Sequence, residues 1–174
     1  LLRKPGHALI EAGTGIGKSF AYLIPAIWSG ASTLVSTSNK ALMAQLWHKD
    51  LPTLREIAPK PFTAALLKGR SNYVCQLKLR GLKPQQRKLS GFGGDYERVQ
   101  EGLARAPSGD IEEMGLPPIM AAGLTVDHRS CEGFKCPEFR NCFYEKAKAN
   151  AQGADLVVTN HAVLCFNVLQ LANT

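Results

Sequence analysis

The sequence lacks the features of a membrane or secreted protein. No apolar run approaches the roughly 18 residues that span a bilayer, and the first residues do not form a secretory signal. Internal repeats and low-complexity tracts are also missing. We therefore expect a cytoplasmic protein whose thiols stay reduced, so the five cysteines indicate metal binding or simple burial in preference to disulfides.

Acidic residues are scarce, and they are missing altogether between positions 68 and 88. The 174 residues are 45% hydrophobic, enough for one sizeable core with a smaller module, and the net charge of +7 favours polyanionic partners. The acid-free stretch is either a phosphate-binding surface with Tyr73 available for base stacking or a plain solvated helix face. Its basic residues are Lys68, Arg70, Lys78, Arg80, Lys83, Arg87 and Lys88.

A glycine-rich loop at residues 11–19, EAGTGIGKS, organises the first part of the chain. Residues 7–10 before it predict a short buried strand, and apolar residues at helical spacing follow it. Alternating glycines let several N–H groups converge on one anion, and the helix adds its positive end. The loop therefore predicts a nucleotide site in which the Ser19 hydroxyl ligates Mg²⁺. The alternative is a glycine-rich turn followed by Lys-Ser by chance. The predicted site residues are Gly13, Thr14, Gly15, Ile16, Gly17, Lys18 and Ser19.

The remaining apolar pattern predicts an α/β fold with a parallel sheet. Strands are expected at residues 31–37, 62–67 and 155–159, with helices between them and beyond the last one. Ligands of such sheets bind at the carboxyl ends of the strands, where the polar corner at residues 36–40 falls. His161, which follows the last strand, is interpreted as a packing residue.

Proline and glycine predict where regular structure stops. Pro25 is expected to bend or end the first helix, and a second helix from Ala41 is expected to stop before Pro52. Residues 89–130 are expected to be mostly irregular, with one short helix capped by Asp95, and to need something other than a large core for order.

Three clustered cysteines and a distant fourth predict a metal centre. Cys131, Cys136 and Cys142 are separated by four and five residues, and 55 residues lie between Cys75 and Cys131. Zinc sites usually contain tighter pairs, whereas four thiolates suit an iron-sulphur cluster. Zinc and incidental free cysteines remain open alternatives. Cys165, in an apolar run, is interpreted as a small core residue.

Taken together, these segments resemble the first motor domain of DinG-type helicases, superfamily 2 relatives of XPD. The resemblance rests on the phosphate loop, in which Ala12 replaces the usual first glycine as is common in helicases, and on the cysteine group C-x4-C-x5-C. It further rests on VSTSNKALMAQ at 35–45, GRSNYVC at 69–75 and VVTNHAVL at 157–164.

The resemblance implies a RecA-like P-loop NTPase sheet with an inserted, mainly helical iron-sulphur domain. Lobe residues would be 1–68 and 150–174, and the insertion 69–149. The implied cofactors are ATP, Mg²⁺ and a [4Fe-4S] cluster held by Cys75, Cys131, Cys136 and Cys142. The residues implied to lie along the DNA are Ser36, Thr37, Ser38, Asn39 and Lys40.

The implied activity is ATP-driven 5′-to-3′ translocation on single-stranded DNA with unwinding of DNA or DNA:RNA duplexes, by a monomer, in roles that include DNA repair. The Walker B carboxylates and the second lobe are expected beyond Thr174, so no catalytic residue is assigned and this chain alone is expected to be inactive. The alternative is a single-stranded nucleic-acid-binding module with a zinc or iron-sulphur site and no ATPase role.

Overall fold

The computed structural model describes residues 6–13, 15–81 and 93–172. The chain divides into two compact units. The first, which we call the sheet unit, is Leu1–Leu67 with Asn150–Thr174, and the second, the helical unit, is Lys68–Ala149. Within the described ranges, no helix is both long enough and apolar enough to cross a membrane.

Short helices and strands alternate along the sheet unit, whereas helices and 3₁₀ turns make up the helical unit. In chain order the elements are α1 (Lys18–Ser29), β1 (Thr33–Thr37), α2 (Lys40–Gln45), a π turn (Leu46–Asp50), α3 (Leu51–Ile57), β2 (Ala64–Leu67), a 3₁₀ turn (Arg70–Asn72), α4 (Gln76–Gly81), α5 (Gly93–Arg105), α6 (Ile111–Met114), α7 (Pro118–Leu124), two 3₁₀ turns (Gly133–Lys135 and Phe139–Asn141), α8 (Phe143–Gln152), β3 (Leu156–Asn160) and α9 (His161–Ala172).

The three strands form a parallel sheet in the order β1-β3-β2. Val158 of β3 lies opposite Val35 of β1 and Leu66 of β2. Both faces of β3 are buried, as expected of a central strand in a parallel sheet. The predicted α/β fold with a parallel sheet is confirmed, and the sheet is consistent with part of a RecA-like domain.

The strand predicted at residues 7–10 is absent. These residues have no regular structure, and Leu9 and Ile10 are exposed. A strand forms only where a neighbour satisfies its N–H and C=O groups, and none of β1, β2 and β3 pairs with this segment. The apolar pattern was therefore insufficient to predict a strand here.

Neither proline ends a helix where expected. Helix α1 continues through Pro25 to Ser29, and Leu23 and Ala26, which flank the proline, are both buried. Packing of this face offsets the lost backbone hydrogen bond. Pro52 is the second residue of α3, where a helix needs no N–H donor, and the wider π turn at Leu46–Asp50 precedes it.

The core of the sheet unit excludes Cys165. It is formed by side chains from α1, β1, β3 and the helices after β1: Leu23, Val35, Met43, Leu46, Leu51, Leu54, Leu156 and Val158. In α9, Val163 is buried and Cys165 is exposed. Val163 and Cys165 are two positions apart in the helix and therefore point about 200° apart around its axis. When packing buries Val163, Cys165 faces outward. The interpretation of Cys165 as core filling was wrong.

The helical unit has its own apolar core, contrary to the mostly irregular structure expected at residues 89–130. Helix α5 begins at Gly93 rather than after Asp95, and α6 and α7 follow it. Gly109 joins α5 to α6 at φ +71°, and a Cβ there would lie 2.4 Å from the Phe143 ring, so only glycine fits. The core residues are Val74, Leu79, Val99, Ala106, Met114, Met120 and Leu124.

Candidate functional sites

The phosphate loop ends where α1 begins, at Lys18, as the sequence predicts. Gly15 and Gly17 have φ of 78° and 81°, in the left-handed region that favours glycine, and Gly17 is the residue that caps α1. The helix therefore presents its first N–H groups toward the loop, the arrangement that binds anions. Thr14 lies outside the described residues.

Two side chains of the loop already interact with neighbouring groups of the chain. The Lys18 ammonium donates a hydrogen bond to the carbonyl of Gly13. The Ser19 hydroxyl interacts with the phenol of Tyr22, one helical turn later. Partial burial raises the pKa of Tyr22 and the nearby Asp50 adds to this rise, while the hydrogen bond with Ser19 opposes it. Ile16, by contrast, is exposed.

The polar corner at residues 36–40, at the end of β1, contains side chains with local hydrogen bonds and side chains exposed to solvent. Thr37 is buried, and its hydroxyl donates to the carbonyl of Asn39 at 3.0 Å. The Asn39 side chain caps α2 by accepting the N–H of Leu42 at 2.8 Å. Ser38 and Lys40 are exposed. Two of the five predicted DNA-path side chains thus make local structural contacts.

The sequence interpretation missed a contact between the ends of neighbouring strands. Ser36 Oγ and His161 Nδ1 are 2.7 Å apart, and His161 is exposed, so it is not a packing residue. Ser36 lies in β1, and His161 directly follows β3, which pairs with β1 in parallel. The parallel register was the signal that could have predicted this contact.

Four cysteines of the helical unit line one cavity of about 30 Å³. They are Cys75, Cys131, Cys136 and Cys142, each partly buried and none in a disulfide. Burial raises the pKa of the Cys136 thiol, and neighbouring charges add to this. No three histidine, cysteine or acidic side chains in the described part of the chain are arranged to hold a metal ion. The fold therefore gathers the four thiols around one cavity.

Arg70 packs directly beside these thiols. Its guanidinium donates to Cys131 Sγ at 3.1 Å and to Glu145 at 3.2 Å, and it lies 4.2 Å from the centroid of the Tyr144 ring. The Cys131 sulphur also accepts the backbone N–H of Gly133 at 3.4 Å. This sulphur therefore accepts hydrogen bonds from two N–H donors.

In the described part of the acid-free stretch at 68–88, Tyr73 is not available for base stacking. Tyr73 is only 4% exposed, and Lys68 is a buried residue whose ammonium lies 2.6 Å from Asp110 and 2.8 Å from Glu112. Burial lowers the pKa of Lys68, but the two carboxylates outweigh this and leave it raised. Arg80 pairs with Glu138. Lys83, Arg87 and Lys88 lie outside the described residues.

A parallel α/β sheet that follows a glycine-rich loop at a helix N-terminus defines an α/β protein with a P-loop-type motif. No protein-family model matches the chain. It is 38% identical to the ATP-dependent DNA helicase YoaA of Haemophilus influenzae, over 92% of this chain and 26% of that protein. It is 35% identical to the ATP-dependent helicase DinG of Mycobacterium tuberculosis, over 94% of this chain and 28% of that protein.

A relative with a different named activity matches the same region. The 3′-5′ exonuclease DinG of Bacillus subtilis is 35% identical over 91% of this chain and 18% of that protein. The chain is thus homologous to the DinG and YoaA ATP-dependent DNA helicases, and it spans about a quarter of their length. The resemblance stated from the sequence is confirmed.

Proposed function

We propose that this chain is part of the first motor lobe of an ATP-dependent DNA helicase. The proposal depends on one observation above all, the homology over more than nine-tenths of the chain to proteins named as such helicases. In the whole protein, ATP hydrolysis drives 5′-to-3′ translocation on single-stranded DNA and unwinding of DNA or DNA:RNA duplexes. The direction and substrates follow from the DinG resemblance alone.

The phosphate loop is the proposed nucleotide site. A triphosphate would replace the Gly13 carbonyl as the partner of the Lys18 ammonium, and backbone N–H groups at the start of α1 would bind its oxygens. The Ser19 hydroxyl would ligate Mg²⁺ once released from Tyr22. Hydrolysis also requires carboxylates for Mg²⁺ and for the attacking water, to which we assign no residue of this chain.

The four gathered thiols are the proposed ligands of a [4Fe-4S] cluster. Their donor chemistry fits such a group, because cysteine thiolates are its usual ligands and all four thiols line one cavity. The N–H donors at Cys131 would orient its sulphur as a ligand. A bound cluster would supply a covalent link between Cys75 and the segment 131–142. Zinc on the same thiolates is the alternative metal.

The proposed DNA path in the sheet unit runs along the corner at residues 36–40. Ser38 and Lys40 are exposed there and can contact phosphates. Thr37 and Asn39 shape the backbone of the corner through their internal hydrogen bonds.

Nucleotide binding tests the motor proposal directly. We expect this chain to bind a fluorescent ATP analogue with Mg²⁺, and Lys18→Ala to weaken binding by about 10- to 150-fold, because a charged hydrogen bond is lost. Lys60→Ala, an exposed lysine of the same unit, is the matched control and should bind like the wild type. Equal binding by the wild type and Lys18→Ala would overturn the assignment of the loop.

A second candidate is a single-stranded nucleic-acid-binding module with no ATPase role. Two observations favour it, because Lys18 donates to its own loop and residues 7–10 form no strand. This candidate predicts that the chain binds single-stranded DNA but no nucleotide, so the same titration separates the two.

A further inference from the structure

The helical unit contains two similar short turns beside the thiols. The 3₁₀ turns Gly133–Lys135 and Phe139–Asn141 are each followed by a cysteine, Cys136 and Cys142 respectively. The N–H of each cysteine donates to the first carbonyl of its turn, at 3.1 Å and 3.2 Å. The backbone N–H of a cysteine therefore closes each turn, and the cysteine side chain begins where the turn ends.

Each turn carries an exposed phenylalanine followed by an exposed cation. Phe134 is 80% exposed and precedes Lys135, whose ammonium lies 5.9 Å from the centroid of that ring. Phe139 is 36% exposed and precedes Arg140. Large apolar side chains exposed in this way are not explained by the core of the unit, which excludes both rings.

The charge around the two rings favours a polyanion. In the part of the chain that the structure describes, neither Lys135 nor Arg140 has an ion-pair partner. Arg129 and Asp127, nearby in sequence, are both exposed and offset each other. Glu138 is buried against Arg80, so it does not offset these charges, whereas Glu132 is exposed and offsets one of them. The exposed charge of the two turns is therefore positive.

We propose that the two turns form a base-stacking contact for single-stranded DNA, with Phe134 as its main platform. A base would stack on the Phe134 ring while Lys135 and Arg140 contact the flanking phosphates. This inference deepens the proposed function, on which it rests, by assigning residues outside the corner at 36–40. Aromatic rings beside cations suit any base sequence, because every base has a π face.

Two of the proposed cluster ligands are adjacent to the turns that carry the two rings. Because Cys136 and Cys142 end the turns, a metal centre that holds these thiols also holds the two rings in place. Loss of the centre should therefore weaken DNA binding, even though the centre itself contacts no DNA.

The test compares a thymidine oligonucleotide with an abasic oligonucleotide of equal length, by fluorescence anisotropy without nucleotide. Phe134→Ala should weaken binding of the thymidine strand by about 5- to 150-fold and leave binding of the abasic strand unchanged, since only the former can stack. Phe134→Trp should retain the wild-type preference. Ile119→Ala is the matched control, because Ile119 is apolar and 82% exposed in the same unit but has no adjacent cation.

Lys135→Ala tests the phosphate contact separately. This substitution should weaken binding of both oligonucleotides and reduce the slope of log affinity against log salt concentration by about 0.7. Unchanged binding of both strands by Phe134→Ala would overturn the proposal and favour a protein partner for the exposed rings. Equal weakening of both strands would also overturn it. The DNA titration contains no nucleotide, so its outcome does not depend on whether the phosphate loop binds ATP. Failure of the stacking proposal can therefore be told apart from failure of the nucleotide-site proposal.

Discussion

The two units of this chain are stabilised by different interactions. The sheet unit has paired parallel strands and an apolar core around Val158. In the helical unit the apolar core is joined by buried and half-buried ion pairs, by Arg70 on the Tyr144 ring, and by four thiols around one cavity. Every ion pair in which both residues are described lies in the helical unit.

Because of this contrast, the stability of the two units should respond differently to pH, salt, oxidation and chelation. Strand pairing and apolar burial depend little on pH, salt or oxidation near neutrality. Thiols and buried charges respond to oxidation, chelation and the loss of one partner. A local perturbation of the helical unit should therefore leave the sheet unit folded.

The largest difference between the units should follow loss of the thiolate centre. We expect anaerobically purified protein to contain iron and to absorb at about 400 nm, and we expect Cys136→Ser to lose most of the iron and most of this absorption. Metal binding contributes to folding, so hydrogen exchange should show a loss on the order of several kcal/mol in the helical unit, while β1, β2 and β3 keep their protection. Oxidation of the wild type should have the same pattern.

Cys165→Ser is the control for this experiment. Cys165 is exposed, lies in the sheet unit and does not line the thiol cavity, so its substitution should retain iron and protection. Equal loss of protection in both units after oxidation would contradict the comparison. If the protein is colourless and contains zinc, the four thiols hold a zinc ion and the cluster assignment is wrong.

The next largest effect should come from the buried ammonium of Lys68. Lys68→Met leaves the Asp110 carboxylate buried without its partner, which costs about 3–5 kcal/mol. Urea unfolding followed by hydrogen exchange should locate the loss in the helical unit. Since the pKa of Lys68 is raised, its stabilisation is complete below the unfolded value near 10.4 and is lost as pH rises through the folded one.

Charge removal distinguishes the ion pair from simple packing. Adding Asp110→Asn to Lys68→Met removes the uncompensated carboxylate and keeps an oxygen to cap α6, so stability should partly recover. Lys135→Met, at an exposed lysine of the same unit, should change stability by less than about 0.5 kcal/mol. No recovery in the double variant would contradict the ion-pair account.

The partners of these charges explain what the sequence could not predict. The basic stretch was identified correctly as a composition, but Arg70 pairs with Glu145, 75 positions away, and Arg80 with Glu138, 58 positions away. A linear pattern reports charge and spacing and does not report which distant carboxylate approaches. A basic cluster with internal partners and one that faces a polyanion therefore look alike in sequence.

Local patterns were more successful where a short segment determines its own conformation. The last residues of β1 and β2 and the first residue of α1 match the predictions, which follow from β-branched or apolar runs and from the left-handed glycine Gly17. Both strands begin two residues later than predicted. The segment 7–10 has a similar apolar pattern but lacks a paired neighbour, and pairing is a tertiary property. The same reason separates Cys165 from Val163, because one helix face is chosen by packing.

The smallest effect should come from the carboxylate of Asp155, which the sheet unit pairs with neutral donors. Asp155 Oδ2 accepts the Thr63 N–H at 2.7 Å and the Thr63 hydroxyl at 2.8 Å, and these bonds hold the pKa of Asp155 below its usual value. A lowered pKa stabilises the fold above the unfolded value near 3.9, and this stabilisation is lost as pH falls through the folded one. Asp155→Asn should therefore unfold at slightly lower urea than the wild type at pH 6, by less than Lys68→Met does. The difference should shrink as pH falls below about 4. A gap that stays constant across this range would mean that the charge of Asp155 plays no part, and that its contact with Thr63 acts as an ordinary neutral hydrogen bond.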